Sequence, residues 1–139
     1  MNTYVMLLCE KTFEWIYVNL KDKEEFKKRG ICIGENVNIG CGVRIGNYAI
    51  VGKNARIGNY VSIGNGASID DYARIGYGAS IGNGASIGNG ASIDDYAIVG
   101  NGASIGNGAS IGYGASIDDY AIVGYGASID DYAIINEKD

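Results

Sequence analysis

The chain reads as an all-β protein: a triangular prism of short, stacked parallel strands, five to six coils tall, behind a small N-terminal strand and helix cap. Three observations predict this. A six-residue pattern runs without insertion from Ile33 to Ile134, seventeen hexads, and Ile135 opens another. Every hexad from Ile33 to Ile129 starts with Ile or Val. Glycine is abundant at 23 residues while proline is absent, which in strict register signals an ordered repeat rather than disorder.

The hexad explains each element. Ile63 to Ser68 reads Ile-Gly-Asn-Gly-Ala-Ser. Its sixth residue, the next Ile and the residue after that alternate outward, inward, outward, as a strand requires. The fifth residue is small (Ala67) or Val (Val61). Positions three and four carry Asn, Gly, Asp and Tyr, and Asn65-Gly66 is a turn dipeptide that tolerates positive φ. A strand this short buries nothing alone. Three hexads close one coil, and stacked coils join their isoleucines into an interior ladder. At ~4.8 Å per coil the prism is about 27 Å long.

Residues 1–30 fall outside the repeat. Tyr4 to Cys9 and Phe13 to Val18 suit two short strands. Asp22 to Arg29 suits a helix (22–29), with Asp22 and Glu25 spaced as a capping box and Gly30 at its end. The expectation is that Phe13, Trp15 and Phe26 cover the open edge of the first coil. Lys27, Lys28 and Arg29 read as a solvated helix end. The chain therefore divides into a cap (1–30) and a repeat (31–139).

Sorting hexads by coil gives three rows. One row carries a corner tyrosine in each coil from the second onward: Tyr60, Tyr77, Tyr96, Tyr113 and Tyr132. The other rows carry only Tyr72 and Tyr125, and Tyr48 and Tyr120. Outward sixth positions are mostly Ser or Arg, but Ile50, Ile98, Ile122 and Ile134 break that rule. Ile98 and Ile134 share the face that follows the tyrosine row, so Tyr60, Tyr77, Tyr96, Tyr113, Tyr132, Ile98 and Ile134 form the candidate interface. Asp-Asp pairs follow Ile69, Ile93, Ile117 and Ile129, never one coil apart. That avoids stacking like charges, and the dispersal argues against a single calcium or acid–base site.

The repeat resembles the bacterial transferase hexapeptide-repeat family over residues 33–135. The resemblance implies a left-handed parallel β-helix, an exception to the usual right-handed crossover. It also implies acyl transfer from coenzyme A or acyl carrier protein, with a histidine base and a loop projecting from one coil. This sequence has no histidine, and its repeat is uninterrupted. The zinc-binding carbonic anhydrases of the family use three histidines, also absent. Cys41, with Arg44 and Lys53 near it in sequence, is a weak substitute. No catalytic, cofactor or metal residue is assigned, and no cofactor is expected.

The leading expectation is accordingly a non-enzymatic structural or assembly protein, a rigid rod or spacer engaging itself or a larger assembly. A virion or tail component and an engineered consensus repeat are settings that suit it. The alternative is an acyltransferase-like protein binding an acyl donor or sugar nucleotide between subunits. A homo-oligomer, with a trimer favoured, is expected from the resemblance and from the outward isoleucines. Net charge is −5, and no cation lies between Arg74 and Lys138, so nucleic acid is not expected as a partner. Three cysteines (Cys9, Cys32, Cys41) form no disulfide framework. No apolar run approaches ~18 residues, and the N-terminus lacks the features of a signal peptide. A cytoplasmic or virion location without membrane contact follows as the expectation.

Overall fold

The computed structural model describes residues 4–8 and 14–137. Cys9 and Phe13, placed above in the cap strands, lie outside the described residues. Each hexad forms a two-residue strand from its sixth position and the following Ile or Val, such as Ser80–Ile81. Each strand pairs in parallel with the strand one coil on: Ser80 lies opposite Ile98, and Ile81 opposite Val99. Three faces result. The first runs from Arg44–Ile45 to Ile134–Ile135, the second from Cys32–Ile33 to Ile122–Val123, and the third from Asn38–Ile39 to Ser128–Ile129. Each face has six coil strands, so the solenoid is a left-handed parallel β-helix of six coils.

The inward residues make one continuous core. Ile63, Ile69, Ile81 and Ile87 are essentially inaccessible, as are the fifth-position alanines Ala67, Ala73, Ala79 and Ala85. Ala127, Ile129 and Ile135, in the last described coil, are only partly buried. Strand backbone groups are satisfied between coils, while fifth-position N–H groups close turns within their own coil, as Ala85 N–H does to Gly82 O (3.2 Å). On a face, Ser80 N–H donates to Ala97 O (2.9 Å) and Gly82 N–H to Val99 O (2.7 Å).

The corners carry a second ladder built from side chains. The third-position N–H of one coil donates to the Oδ1 of the Asn or Asp above it: Asn65 to Asn83 and Asn83 to Asn101, both at 2.8 Å. Asp95 and Asp119 serve as acceptors in the same way, for Tyr77 and Asn101. Half of each acidic pair is thus structural. In two of the pairs the Asp at position two accepts the N–H of its neighbour: Asp70 from Asp71 (3.1 Å) and Asp94 from Asp95 (2.8 Å). Asn47 heads one ladder, and its Oδ1 is buried without a partner. The residue beneath it in the stack is Arg29, whose N–H is already given to the helix end through Phe26 O.

Before the repeat, β1 (Tyr4–Leu8) and β2 (Trp15–Asn19) form an antiparallel hairpin. β1 also pairs in parallel with Arg44–Ile45, extending the first face beyond its first coil. Val5, Leu7 and Val18 enter the core. Trp15 lies under the Arg44 guanidinium, 5.5 Å from ring centroid to Cζ. α1 (Lys23–Lys28) follows, with Asp22 accepting from Glu25 N–H and Phe26 buried. One expectation is corrected here. Lys27 and Lys28 are exposed, but Arg29 is buried at 6% exposure. Its guanidinium turns back along the helix to the Glu25 carboxylate and the Glu25 carbonyl. The i,i+4 spacing of Glu25 and Arg29 allows this geometry.

Among the described residues no helix is long and apolar enough to cross a membrane. Cys32 and Cys41 are free and exposed.

Candidate functional site

The third face has the one outward row that is polar at every described position. Its outward sixth positions are Asn38, Arg56, Arg74, Ser92, Ser110 and Ser128, stacked in that order. The small serines leave a groove on either side of the row. One, of about 900 Å³, runs from Gly58 and Gly76 past Asp94 to Asp130 and Asp131. The other, of about 630 Å³, lies toward the preceding corner and is lined by Asn36, Asn38, Asn54, Tyr72 and both arginines. By contrast, the hollow between α1 and the first coil is lined by apolar Leu20, Phe26, Ile31, Ile33, Val37 and Ile39.

Arg56 and Arg74 face each other directly across the strand pair. Sequence reading missed this relationship. The signal is a spacing of 18 residues, which puts Arg56 and Arg74 one coil apart and which no Asp-Asp pair shows. Like charges opposed on a sheet face are destabilising. Among the described residues neither guanidinium has an ion pair. The protein is acidic overall, yet its repeat places two arginines in register on adjacent strands of one face.

The tyrosine column stands at the corner between the third and first faces. Tyr60, Tyr77, Tyr96, Tyr113 and Tyr132 form an unbroken series of edge-to-face contacts, with centroids 5.5 to 5.7 Å apart. Tyr60, Tyr96 and Tyr132 occupy the fourth hexad position with φ near +60°. That conformation is uncommon for a bulky residue. Each ring lies across a glycine of the preceding coil: a Cβ on Gly42, Gly78 or Gly114 would sit within 3 Å of the next tyrosine ring. Tyr77 and Tyr113 occupy the third position, beside those glycines. The alternation produces the herringbone. Burial raises the Tyr113 phenol above its usual pKa, reinforced by Tyr132, Tyr96, Asp95 and Asp94.

Ile98 and Ile134 lie outward on the first face, beside this column, at 52% and 67% exposure. Ile50 and Ile122 are outward on the second face. The seven candidate interface residues therefore form one neighbourhood, at a corner and the face beyond it. Cys41 sits at the foot of the same corner, where its N–H donates to Asn59 Oδ1. Among the described residues no cluster of Cys, Asp and Glu has the form of a metal site.

A stacked hexad ladder of this kind defines a hexapeptide-repeat solenoid. The model of the bacterial transferase hexapeptide family (six repeats) matches residues 36–70, 48–83, 60–95 and 84–119, more than half of the chain. The chain belongs to this family. No curated protein matches it significantly by sequence. Among solved structures, it is similar to the acetyltransferase domain of PglB from Neisseria gonorrhoeae, with TM-score 0.74 and 19% identity over 77% of this chain and 51% of that one. It is also similar to a variant of GDP-perosamine N-acetyltransferase from Caulobacter crescentus, solved with CoA and GDP-perosamine (0.63, 23%, 77% and 50%). A third is UDP-N-acetylglucosamine O-acyltransferase (LpxA) from Moraxella catarrhalis (0.60, 20%, 76% and 56%). The chain spans about half the length of the first two.

These comparisons overturn the expectation of a non-enzymatic rod. The family is a transferase family, and solved structures that share the fold are acetyl- and acyltransferases. The physical reason lies in where regularity is required. The inward first and fifth positions must repeat for coils to stack, so a uniform ladder carries no information about chemistry. The outward sixth positions are free to vary, and on the third face they build the grooves without any projecting loop.

Proposed function

We propose that the protein is an acyltransferase-type enzyme that binds an acyl donor or a sugar nucleotide along the third face, between copies of the chain. The observation that carries this reading is the 900 Å³ groove along the third face, which reaches Asp131, the residue before Tyr132 of the tyrosine column. A second copy docked on Tyr60, Tyr77, Tyr96, Tyr113, Tyr132, Ile98 and Ile134 would wall the groove on that side. Three copies arranged in this way close a trimer with a groove at each junction.

With no histidine in the chain, the acceptor that fits best is an amine. A neutral amine attacks a thioester carbonyl without the strong base that a hydroxyl needs. The C–N bond forms, the C–S bond breaks, and the thiol leaves with the proton that the amine gives up. The test is to incubate the protein with acetyl-coenzyme A and a 4-amino sugar nucleotide, and to follow free thiol. Acceptor-dependent thiol release above the protein-free rate supports the reading. Release at the protein-free rate, across a panel of amino and hydroxyl acceptors, overturns it.

A further inference from the structure

We infer that Arg56 and Arg74, with the carboxamides of Asn38 and Asn54, form a binding site for a diphosphate group. The inference rests on the proposed reading only for which molecule carries the diphosphate.

The argument begins with the cost of the pair. Two guanidiniums in register on adjacent strands stand ~4.8 Å apart at the backbone and repel each other. Serine at the same outward position is tolerated in every later coil of this face: Ser92, Ser110 and Ser128. The fold therefore does not require arginine there. No carboxylate of the described residues pairs with either side chain. No Asp-Asp pair sits one coil from another, and the acidic residues that do stand one coil apart, Asp119 and Glu137, lie at the last coil. The arginine pair lies within the body of a face, where an anion would offset its repulsion.

The surroundings fit that anion. The 630 Å³ groove beside the pair has no acidic lining residue. It offers amide groups from Asn38 and Asn54 and the hydroxyls of Tyr72 and Ser92. Asn54 is held at φ +60°, with its own N–H given to Glu35 O at 2.9 Å, so its carboxamide projects from a fixed corner. Planar guanidiniums bind phosphate through paired N–H donors. Two of them one strand spacing apart match two linked phosphates better than one. The other groove, which both arginines also line, carries the acidic residues Asp94, Asp130 and Asp131, so the anion is assigned to the groove without them.

The chemistry is shared by coenzyme A and by nucleoside diphosphate sugars. The experiment is calorimetric titration of the full chain with inorganic pyrophosphate, and separately with coenzyme A and UDP. Proteins are the wild type, Arg56→Ser, Arg74→Ser and the double variant. Serine is the residue that the later coils already carry, so all three variants are expected to fold, and melting curves check this. Pyrophosphate should bind the wild type, weaken about tenfold with each single change, and show no binding to the double variant. If coenzyme A follows the same pattern and UDP does not, the donor owns the site; the reverse assigns it to the sugar nucleotide. Pyrophosphate binding that is absent from the wild type, or unchanged in a folded double variant, overturns the site. Thiol release measured on the same samples separates the two claims. Pyrophosphate binding and transfer that both survive intact in the double variant remove the site and leave the function. Arginine-dependent binding without any transfer keeps the site and removes the function.

Discussion

Tyr77 and Tyr96 meet edge to face, 5.7 Å between centroids with planes at 61°, although they occupy different hexad positions. Tyr77 is third in its hexad and precedes Gly78. Tyr96 is fourth and lies across Gly78 from the next coil. If every tyrosine held the fourth position, rings would stack in register on side chains rather than on glycine. Alternation keeps each contact in the T-shaped geometry, worth about 0.5–1.5 kcal/mol beyond burial.

Tyr113 sits in the middle of this series, and its phenol is raised above the ordinary value of 10.0, first by burial. A folded pKa above the unfolded one means that the neutral phenol favours the fold. The contribution is fully present below pH 10.0 and is lost as pH rises through the folded value. In an absorbance titration of phenolate, Tyr113→Phe should remove the latest-titrating step. It should also flatten the fall in melting temperature above pH 10.0. An unchanged late step in the variant would assign that step to another tyrosine and refute this account of the column.

Ile87 is 1% exposed and packs in register with Ile69 and Ile105. Ile87→Asp should abolish cooperative unfolding, because a buried, unpaired carboxylate costs far more than a cavity. Ile87→Val should cost only about 0.5–1.5 kcal/mol. Circular dichroism melts distinguish the two. An aspartate variant that melts with the wild type would refute the inward register.

Most of the fold was legible because the hexad repeats where packing demands it. Ile63, Ile81 and Ile87 were placed inward by alternation alone, and the structure buries them. The helix expected at 22–29 forms at Lys23–Lys28, one residue shorter at each end, since Asp22 and Arg29 act as its caps. The binding face was less legible. Arg56 and Arg74 declare themselves only when the sequence is folded at 18 residues, and even then only the closed prism shows which grooves flank them. The positive φ at Tyr60 and Tyr96 was hidden for a different reason. Asn-Gly announces such a corner, while Asn-Tyr and Asp-Tyr do not, and the compensating glycine lies one coil away.

Glu25 joins α1 to the buried Arg29, and hydrogen bonds from Arg29 and Lys28 hold its carboxyl below the usual value of 4.5. A lowered folded pKa means that the ionised form favours the fold. This contribution is present above pH 4.5 and is lost as pH falls through the lower folded value. Glu25→Gln should therefore reduce stability near neutrality and make the melting temperature less sensitive to acid below pH 4.5. Parallel acid profiles for wild type and variant would show that another group carries the dependence.

Two glycines of one hexad should respond oppositely to substitution. A Cβ at Gly64 would meet Asn83 Oδ1 at 2.5 Å and Asn83 N at 2.6 Å. Gly64→Ala should therefore cost about 1–3 kcal/mol through overpacking. Gly66 has φ +69° and open space around its missing Cβ. Asn36 and Asn54 hold the same position with φ +59° and +60°. Gly66→Asn should be close to neutral in thermal melts. A reversed order of Gly64→Ala and Gly66→Asn would contradict the corner geometry.

The proposed trimer makes the sharpest demand on the first face. Ile98 and Ile134 are the outward isoleucines beside the tyrosine column, and both expose more than half of their surface in the single chain. Scattered exposed isoleucines are ordinary, but here Ile98 and Ile134, with Ser116 between them, flank a column of five aromatic rings. In the proposed trimer this strip is the core of the interface rather than its rim. Sedimentation of the wild type should give a mass of three chains. A variant carrying Ile98→Lys, Ile134→Lys and Tyr113→Glu should sediment as a single chain, with its coils intact by circular dichroism, because none of the three side chains faces the interior. The same variant should lose acyl transfer while keeping pyrophosphate binding at Arg56 and Arg74, since only the groove toward the tyrosine corner needs a second copy as its wall. A monomeric wild type would refute the shared site outright. A variant that remains trimeric would move the contact to the face carrying Ile50 and Ile122.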